Sequence, residues 1–292
     1  MAAERSTFSR AALIAVSALF ITLFILLPMA TIVVQALAEG VQTFMEALTT
    51  EHALHALYLT LITTLIVVPL NTVFGVFLAY AVAKYDFCGK GLLTVLIDLP
   101  FTVSPVIAGF MIVLVFGAQG LLQPIIAALD LRIVFALPAI VMASAFVTFP
   151  FIAKSLIPLM QSLGNTEEEA ALSLGAGAIS TFFRVTLPSI RWGLFYGVVL
   201  TNARVIGEFG AVSVVSGKIL SETATMPIYI ELMYNEYAYT AAFAIASVLM
   251  ILALISLVLK LAIERHERRR VHTSRRVHGG RWLHASQRAR AH

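Results

Sequence analysis

Arg204 and Glu208 carry the most unusual chemistry in the chain. They stand four positions apart in Thr201-Asn202-Ala203-Arg204-Val205-Ile206-Gly207-Glu208-Phe209-Gly210-Ala211, inside a run otherwise apolar enough to cross a bilayer. A charge at the middle of a membrane helix costs roughly 2.5 to 3.5 kcal/mol on insertion scales, so neither side chain is expected to face lipid. The i, i+4 spacing lets the two pair on one helical face, although arginine first is the weaker orientation. Two readings compete: Arg204 lends positive potential to the path of an anion with Glu208 as its counter-ion, or the pair is a neutral clamp between helices. Asp98, in Ile97-Asp98-Leu99-Pro100, is the third candidate for a path or gate. It lies close enough to the edge of its apolar run to be simply solvated.

Other chemistry is absent. No Gly-x-x-x-x-Gly-Lys-Ser/Thr phosphate loop occurs: Gly89-Lys90 is followed by Gly91, and Gly217-Lys218 by Ile219. No Ser/His/Asp set or metal-spaced cluster marks an enzyme. His52 and His55 share one helical face at i, i+3 but have no third ligand nearby, so they read as a solvated pair. Cys88 is the only cysteine, which excludes an internal disulfide.

The elements that must position these residues are membrane helices. Of 292 residues 60% are hydrophobic and 12% charged, more apolar surface than a soluble domain can bury. Runs of spanning length fall at roughly 12–36, 57–82, 95–116, 134–156, 192–215 and 241–262, which leaves no room for a separate soluble domain. With the N-terminus inside, all of the 20 Lys and Arg except Arg132, Lys218 and the in-span Arg204 fall on the cytoplasmic side. The positive-inside rule then gives six helices with both ends cytoplasmic. The +4 net charge therefore speaks for membrane topology and not for nucleic acid. Residues 1–11 read as a cytoplasmic lead, 12–264 as the six-helix domain and 265–292 as a disordered basic tail attracted to anionic lipid. The first run ends Ala36-Leu37-Ala38, like a cleavage site, but its apolar core is too long for a signal peptide and it reads as a retained span.

Within the spans, Thr60, Thr63, Thr64, Asn71 and Thr72 place hydroxyls and an amide beside a kinking Pro69, and such groups face protein or water. Pro100 and Ser104-Pro105 interrupt the third run. Gly193 and Gly197 form a GxxxG expected to pack closely against another helix. Residues 227–234 read as a surface helix with tyrosines at 229 and 234, either an aromatic belt or a contact for an external partner.

The longest internal stretch that cannot enter a bilayer is Asn165–Pro188. Thr166 as N-cap and Glu169 three residues on predict a capping box, and Glu167, Glu168 and Glu169 oppose a helix dipole. Gly175 is expected to end that helix, with a second helical stretch running to Leu187-Pro188. Glu169-Ala170-Ala171, then Gly175, then Val185-Thr186-Leu187-Pro188 resembles the EAA loop of ABC importer permeases, with Val185 where isoleucine is common.

The resemblance covers most of 12–264. Asp98 to Pro105, Phe116-Gly117-Ala118-Gln119-Gly120, Thr201 to Arg204, Gly207 to Gly217 and Tyr234-Asn235-Glu236-Tyr237 are similar to the CysW-type permease subunits of sulfate/thiosulfate importers, of the binding-protein-dependent transport permease family. The element from Ala203 to Ala211 is shared with molybdate and tungstate permeases. Ser221 departs from a frequent glycine, and the tail is longer than usual.

The resemblance implies an all-α membrane protein of MetI-like fold in the bacterial inner membrane. The chain would be non-catalytic and would import sulfate or thiosulfate by alternating access. The loop 157–191 would dock on an ATPase through Glu169, Ala170, Ala171, Gly175, Leu187 and Pro188. The implied partners are two CysA-type ATPase subunits, which carry the ATP and Mg, a CysT-type permease and a periplasmic sulfate-binding protein. A molybdate/tungstate permease, or a secondary anion carrier driven by an ion gradient, are the alternatives. The absence of any fixed-period repeat gives the carrier no internal support.

Overall fold

A computed structural model describes residues 2–262, which are helical and loop throughout, with no strand among the described residues. The 265–292 tail lies outside them. Four helices are long and apolar enough to cross a membrane: Ala12–Ala36, Glu51–Lys84, Leu137–Leu163 and Tyr239–Ala262. Lys90–Thr102 and Pro105–Phe116 make a fifth span only if taken as one element, because they meet at 108°. The expected interruption is therefore real but larger than a kink. Pro105 cannot donate to the preceding turn, and Val103 and Ser104 adopt extended backbone ahead of it. The run at 192–215 is also divided, into Leu187–Ile206 and a short helix Gly210–Val215.

Proline shapes two further helices in a common way. The first helix passes through a π turn, Thr22–Leu26, just ahead of Pro28, and a second π turn, Phe182–Thr186, just ahead of Pro188. Each turn is centred four residues before its proline, where the ring would otherwise strike a carbonyl; widening the helix there removes the clash. Leu187-Pro188 is consequently not the start of a new element. The chain is helical without a break from Ala178 to Ile206.

The described chain forms two compact units. The first comprises, among the described residues, 2–60 and 217–251. Its core gathers Ala53, Ala56, Met226, Tyr229, Met233, Ala242 and Ile245. Thr60 donates to the Ala56 carbonyl at 2.8 Å and accepts the Met226 N–H at 2.9 Å, satisfying one free donor at the start of the Met226–Asn235 helix. The helix expected at 227–234 is thus present, but Tyr229 lies in the core and not in a belt. Tyr234, Tyr237 and Tyr239 are exposed and meet edge to face.

His52 and His55 differ in setting: His52 is exposed, as a solvated residue would be, and His55 is half-buried. His52 Nδ1 lies 2.6 Å from Ser221 Oγ, and the His55 ring stands 6.3 Å from that of Tyr58. Ser221 has φ +55°, a left-handed conformation that suits glycine. The histidine contact offsets part of that strain, so Ser221→Gly is expected to shift stability by no more than about 1 kcal/mol, read from the thermal midpoint of the purified protein.

The second unit comprises, among the described residues, 61–216 and 252–262. Val76, Ala79, Ile152, Leu156, Met160 and Ile190 form its core. Asn71 Nδ2 donates to Thr148 Oγ1 at 2.8 Å and to the Ala145 carbonyl at 3.3 Å, so the in-span amide faces protein as expected. The two glycines of the GxxxG do pack closely: a Cβ on Gly197 would meet Ser155 Oγ at 2.5 Å and Ile152 Cα at 3.3 Å, and one on Gly193 would strike Leu159. Gly197→Leu is expected to destabilise the unit by about 1–3 kcal/mol through overpacking. Lower yield and a lower midpoint in detergent would register it.

Candidate functional site

The loop after Leu163 folds as a short helix, Thr166–Ser173, followed by a left-handed glycine. Its start differs from the expected capping box. Thr166 is already helical, Asn165 occupies the cap position, and neither gives a side-chain cap bond. The three glutamates still set negative charge in the first turn. At the other end Gly175 has φ +89°. The Gly175 N–H donates to Leu172 O at 3.0 Å and the Ala176 N–H to Ala171 O at 3.1 Å, the bond pair of a Schellman stop.

The glutamates do not act alike. Glu168 faces inward, with Oε1 accepting from Thr186 Oγ1 at 2.6 Å and lying 3.2 Å from Lys84 Nζ. Glu167 Oε2 accepts from Ser189 Oγ at 3.3 Å. Glu169 and Ala170 are exposed and Ala171 half-buried, as Leu187 is, with Pro188 exposed. Between these residues lies an apolar surface: Leu174 is 90% exposed and Ile179 77%, with Leu172 and Phe183 also open. Such a patch outside the apolar spans marks a place for another protein. The alanines expected to seat the helix are therefore accompanied by larger side chains that the motif does not specify.

Arg204 and Glu208 do not share one continuous helix. The helix ends at Ile206 with Gly207 as its cap, so Glu208 lies beyond the last turn. Glu208 is buried and accepts the Ala211 N–H at 3.2 Å, holding the start of Gly210–Val215, while Arg204 is exposed. That short helix sits against Pro105–Phe116 with little clearance. A Cβ on Gly109 would meet Ala211 O at 2.7 Å, and one on Gly210 would meet Pro105 Cβ at 2.9 Å.

Asp98 is not simply solvated. It pairs with Lys154 at 2.6 Å, and the same ammonium lies 5.6 Å from the centre of the Phe101 ring. Lys84, Thr186 and Lys154 are the polar partners that spacing alone does not reveal, since each meets its carboxylate from a different helix well separated in sequence. Among the described residues no group of three or more His, Cys, Asp or Glu could hold a metal ion.

Residues 72–271 match the family of binding-protein-dependent transport system inner membrane components. The sulfate transport system permease protein CysW of Synechococcus elongatus is 47% identical over 263 residues, 89% of this chain and 92% of that protein. The sulfate transport system permease protein CysT of Escherichia coli is 34% identical over 241 residues, 82% and 87% of the two chains. A chain of a bacterial alginate ABC transporter, solved with an alginate pentasaccharide-bound periplasmic protein, superposes with a TM-score of 0.74 at 19% identity, over 91% of this chain and 96% of that one. That likeness is one of fold, and it is the all-α permease fold of an ABC importer. By the family match across most of its length, this multi-pass membrane protein belongs to the binding-protein-dependent transport system inner membrane component family.

Proposed function

We propose that this chain is the permease subunit of an ATP-driven importer that brings sulfate or thiosulfate into the cell. Identity to the CysW-named relative exceeds that to the CysT-named one, 47% against 34%, which favours the CysW side of a two-permease complex. The chain is not itself an enzyme. ATP and Mg belong to two CysA-type subunits, and a periplasmic binding protein delivers the anion at the outer face. Six spans with both termini cytoplasmic put Asn165–Pro188 on the ATPase side of the inner membrane.

The observation that carries this reading is the two-sided loop. One edge is fastened to its own bundle through Glu167 and Glu168, and the other presents Glu169, Leu174 and Ile179 outward. A helix held in this way is suited to receive a push. Movement of the ATPase pair would shift the loops of both permeases and open the bundle to one face at a time. Arg204, Glu208 and Asp98 are the path or gate residues of this proposal.

Radiolabelled sulfate uptake in a strain lacking this chain is the test. Uptake is expected to return with the chain and to require the ATPase subunit, with thiosulfate competing and molybdate not. Uptake that persists without the ATPase would instead indicate a carrier driven by an ion gradient. Strong molybdate competition together with a single permease species in the purified complex would indicate a molybdate homodimer.

A further inference from the structure

Lys84 occupies a position that the sequence motif leaves unassigned. It is the last residue of the Glu51–Lys84 helix, and its side chain is 6% exposed. The ammonium donates to the Gly164 carbonyl at 2.5 Å, at the end of the Pro150–Leu163 helix, and lies 3.2 Å from Glu168 Oε1. A single cation thus sits at the carbonyl ends of two helices, where helix dipoles favour positive charge, and meets a carboxylate in the first turn of a third, where they favour negative charge. The same carboxylate oxygen accepts from Thr186, which is buried in the π turn leading into Leu187–Ile206. Glu168, only 13% exposed, therefore joins the Thr166–Ser173 helix to both a span ahead of it in sequence and the span that follows it.

We propose that Lys84 is a positioning residue for energy coupling, fastening the Thr166–Ser173 helix through Glu168 to the cytoplasmic end of the Glu51–Lys84 span, so that a push on the loop moves that span. This rests on the reading of the loop as the ATPase dock. Coupling travels through packed elements and ion-pair networks that shift as units, and a loop joined only by its flanking peptide would flex where this one transmits. Lys84 touches neither anion nor nucleotide; it acts through Glu168.

The test uses the assembled transporter, with both permeases and the ATPase pair, in proteoliposomes. ATP hydrolysed per sulfate imported is measured beside co-purification of the ATPase. Lys84→Met keeps the length of the side chain and removes its charge. It is expected to raise the ratio about tenfold with the ATPase still bound, within the usual range of coupling free energies. Lys84→Arg keeps the charge and the donors and is expected to stay close to the original protein. A Lys84→Glu, Glu168→Lys exchange is a poor rescue, because both new charges would oppose the helix dipoles.

Glu168→Gln is the second variant should Lys84→Met accumulate poorly. It retains an acceptor for Thr186 while losing the charge, and the same rise in ratio is expected. An unchanged ratio in both variants overturns the proposal whatever the yield of complex. Leu174→Arg separates the two readings. Loss of the ATPase from Leu174→Arg beside a fully coupled Lys84→Met leaves the dock standing and removes the latch. An ATPase that stays bound to Leu174→Arg with uptake unchanged removes the dock, and with it the basis of the latch.

Discussion

Gly175→Val is expected to cut sulfate uptake roughly 5- to 30-fold while the chain still folds and reaches the membrane. At φ +89° the backbone lies in the left-handed region, which costs an L-residue about 1–2 kcal/mol and a β-branched one more. Space is not the obstacle: nothing lies within 4 Å of where a Cβ would stand. The whole effect must therefore pass through the backbone. Valine would take the chain out of the left-handed turn, break the Gly175 to Leu172 and Ala176 to Ala171 bonds, and change how the exposed Leu174 is presented. A 1–2 kcal/mol bias against the docking geometry corresponds to roughly a 5- to 30-fold loss of the competent form.

Gly175→Asn is the control, since asparagine tolerates that conformation and should preserve most uptake. Radiolabelled uptake in cells, with ATP hydrolysis by the purified complex beside it, decides the matter. A valine variant as active as the asparagine one would mean that the joint does not set the docking geometry.

The contrast between these predictions and the sequence follows a physical line. Gly175 was legible because a helix stop is local: a few residues determine whether the backbone must turn left-handed, and the bond pair found there follows from them. Hydrophobic runs were legible for the same reason, although composition does not record that Pro105 folds the third run back by 108°. The six-span count depends on how the bent pair and Leu187–Ile206 sit in lipid, which periodicity does not decide. Side-chain partners were less legible. Lys84 and Glu168 are far apart in sequence, and Glu168 looked like one of three equivalent dipole charges until packing turned it inward. Thr166 offered a capping box, but helical geometry begins one residue earlier than the box requires. Arg204 and Glu208 matched a helical spacing that the chain abandons at Gly207. Glu168 was thus overridden by a contact made over a long separation, whereas Thr166 and Glu208 were overridden locally, by where a helix begins or ends.

Glu208→Ala and Glu208→Gln are expected to part ways. Ala211 is fully buried, so removing the Glu208 acceptor strands a buried N–H and costs about 1–3 kcal/mol. The start of Gly210–Val215 would loosen against Pro105–Phe116, where Gly109 and Gly210 allow almost no clearance. Glu208→Ala should lower the thermal midpoint and abolish uptake together. Glu208→Gln keeps an oxygen acceptor for Ala211 and alters only the charge, so the midpoint should hold.

What happens to uptake in Glu208→Gln then separates the two roles weighed for this residue. With a charge role at the gate, uptake falls although the fold is intact, and Arg204→Gln falls with it, by roughly 10- to 100-fold if one charged hydrogen bond of about 1.5–3 kcal/mol to the passing dianion is lost. With a purely structural role, Glu208→Gln and Arg204→Gln both transport at the original rate. The exposure of Arg204 beside a buried Glu208 favours the first outcome. A neutral clamp would commit the carboxylate to the guanidinium, and here the carboxylate accepts from the backbone of the next helix while Arg204 is exposed.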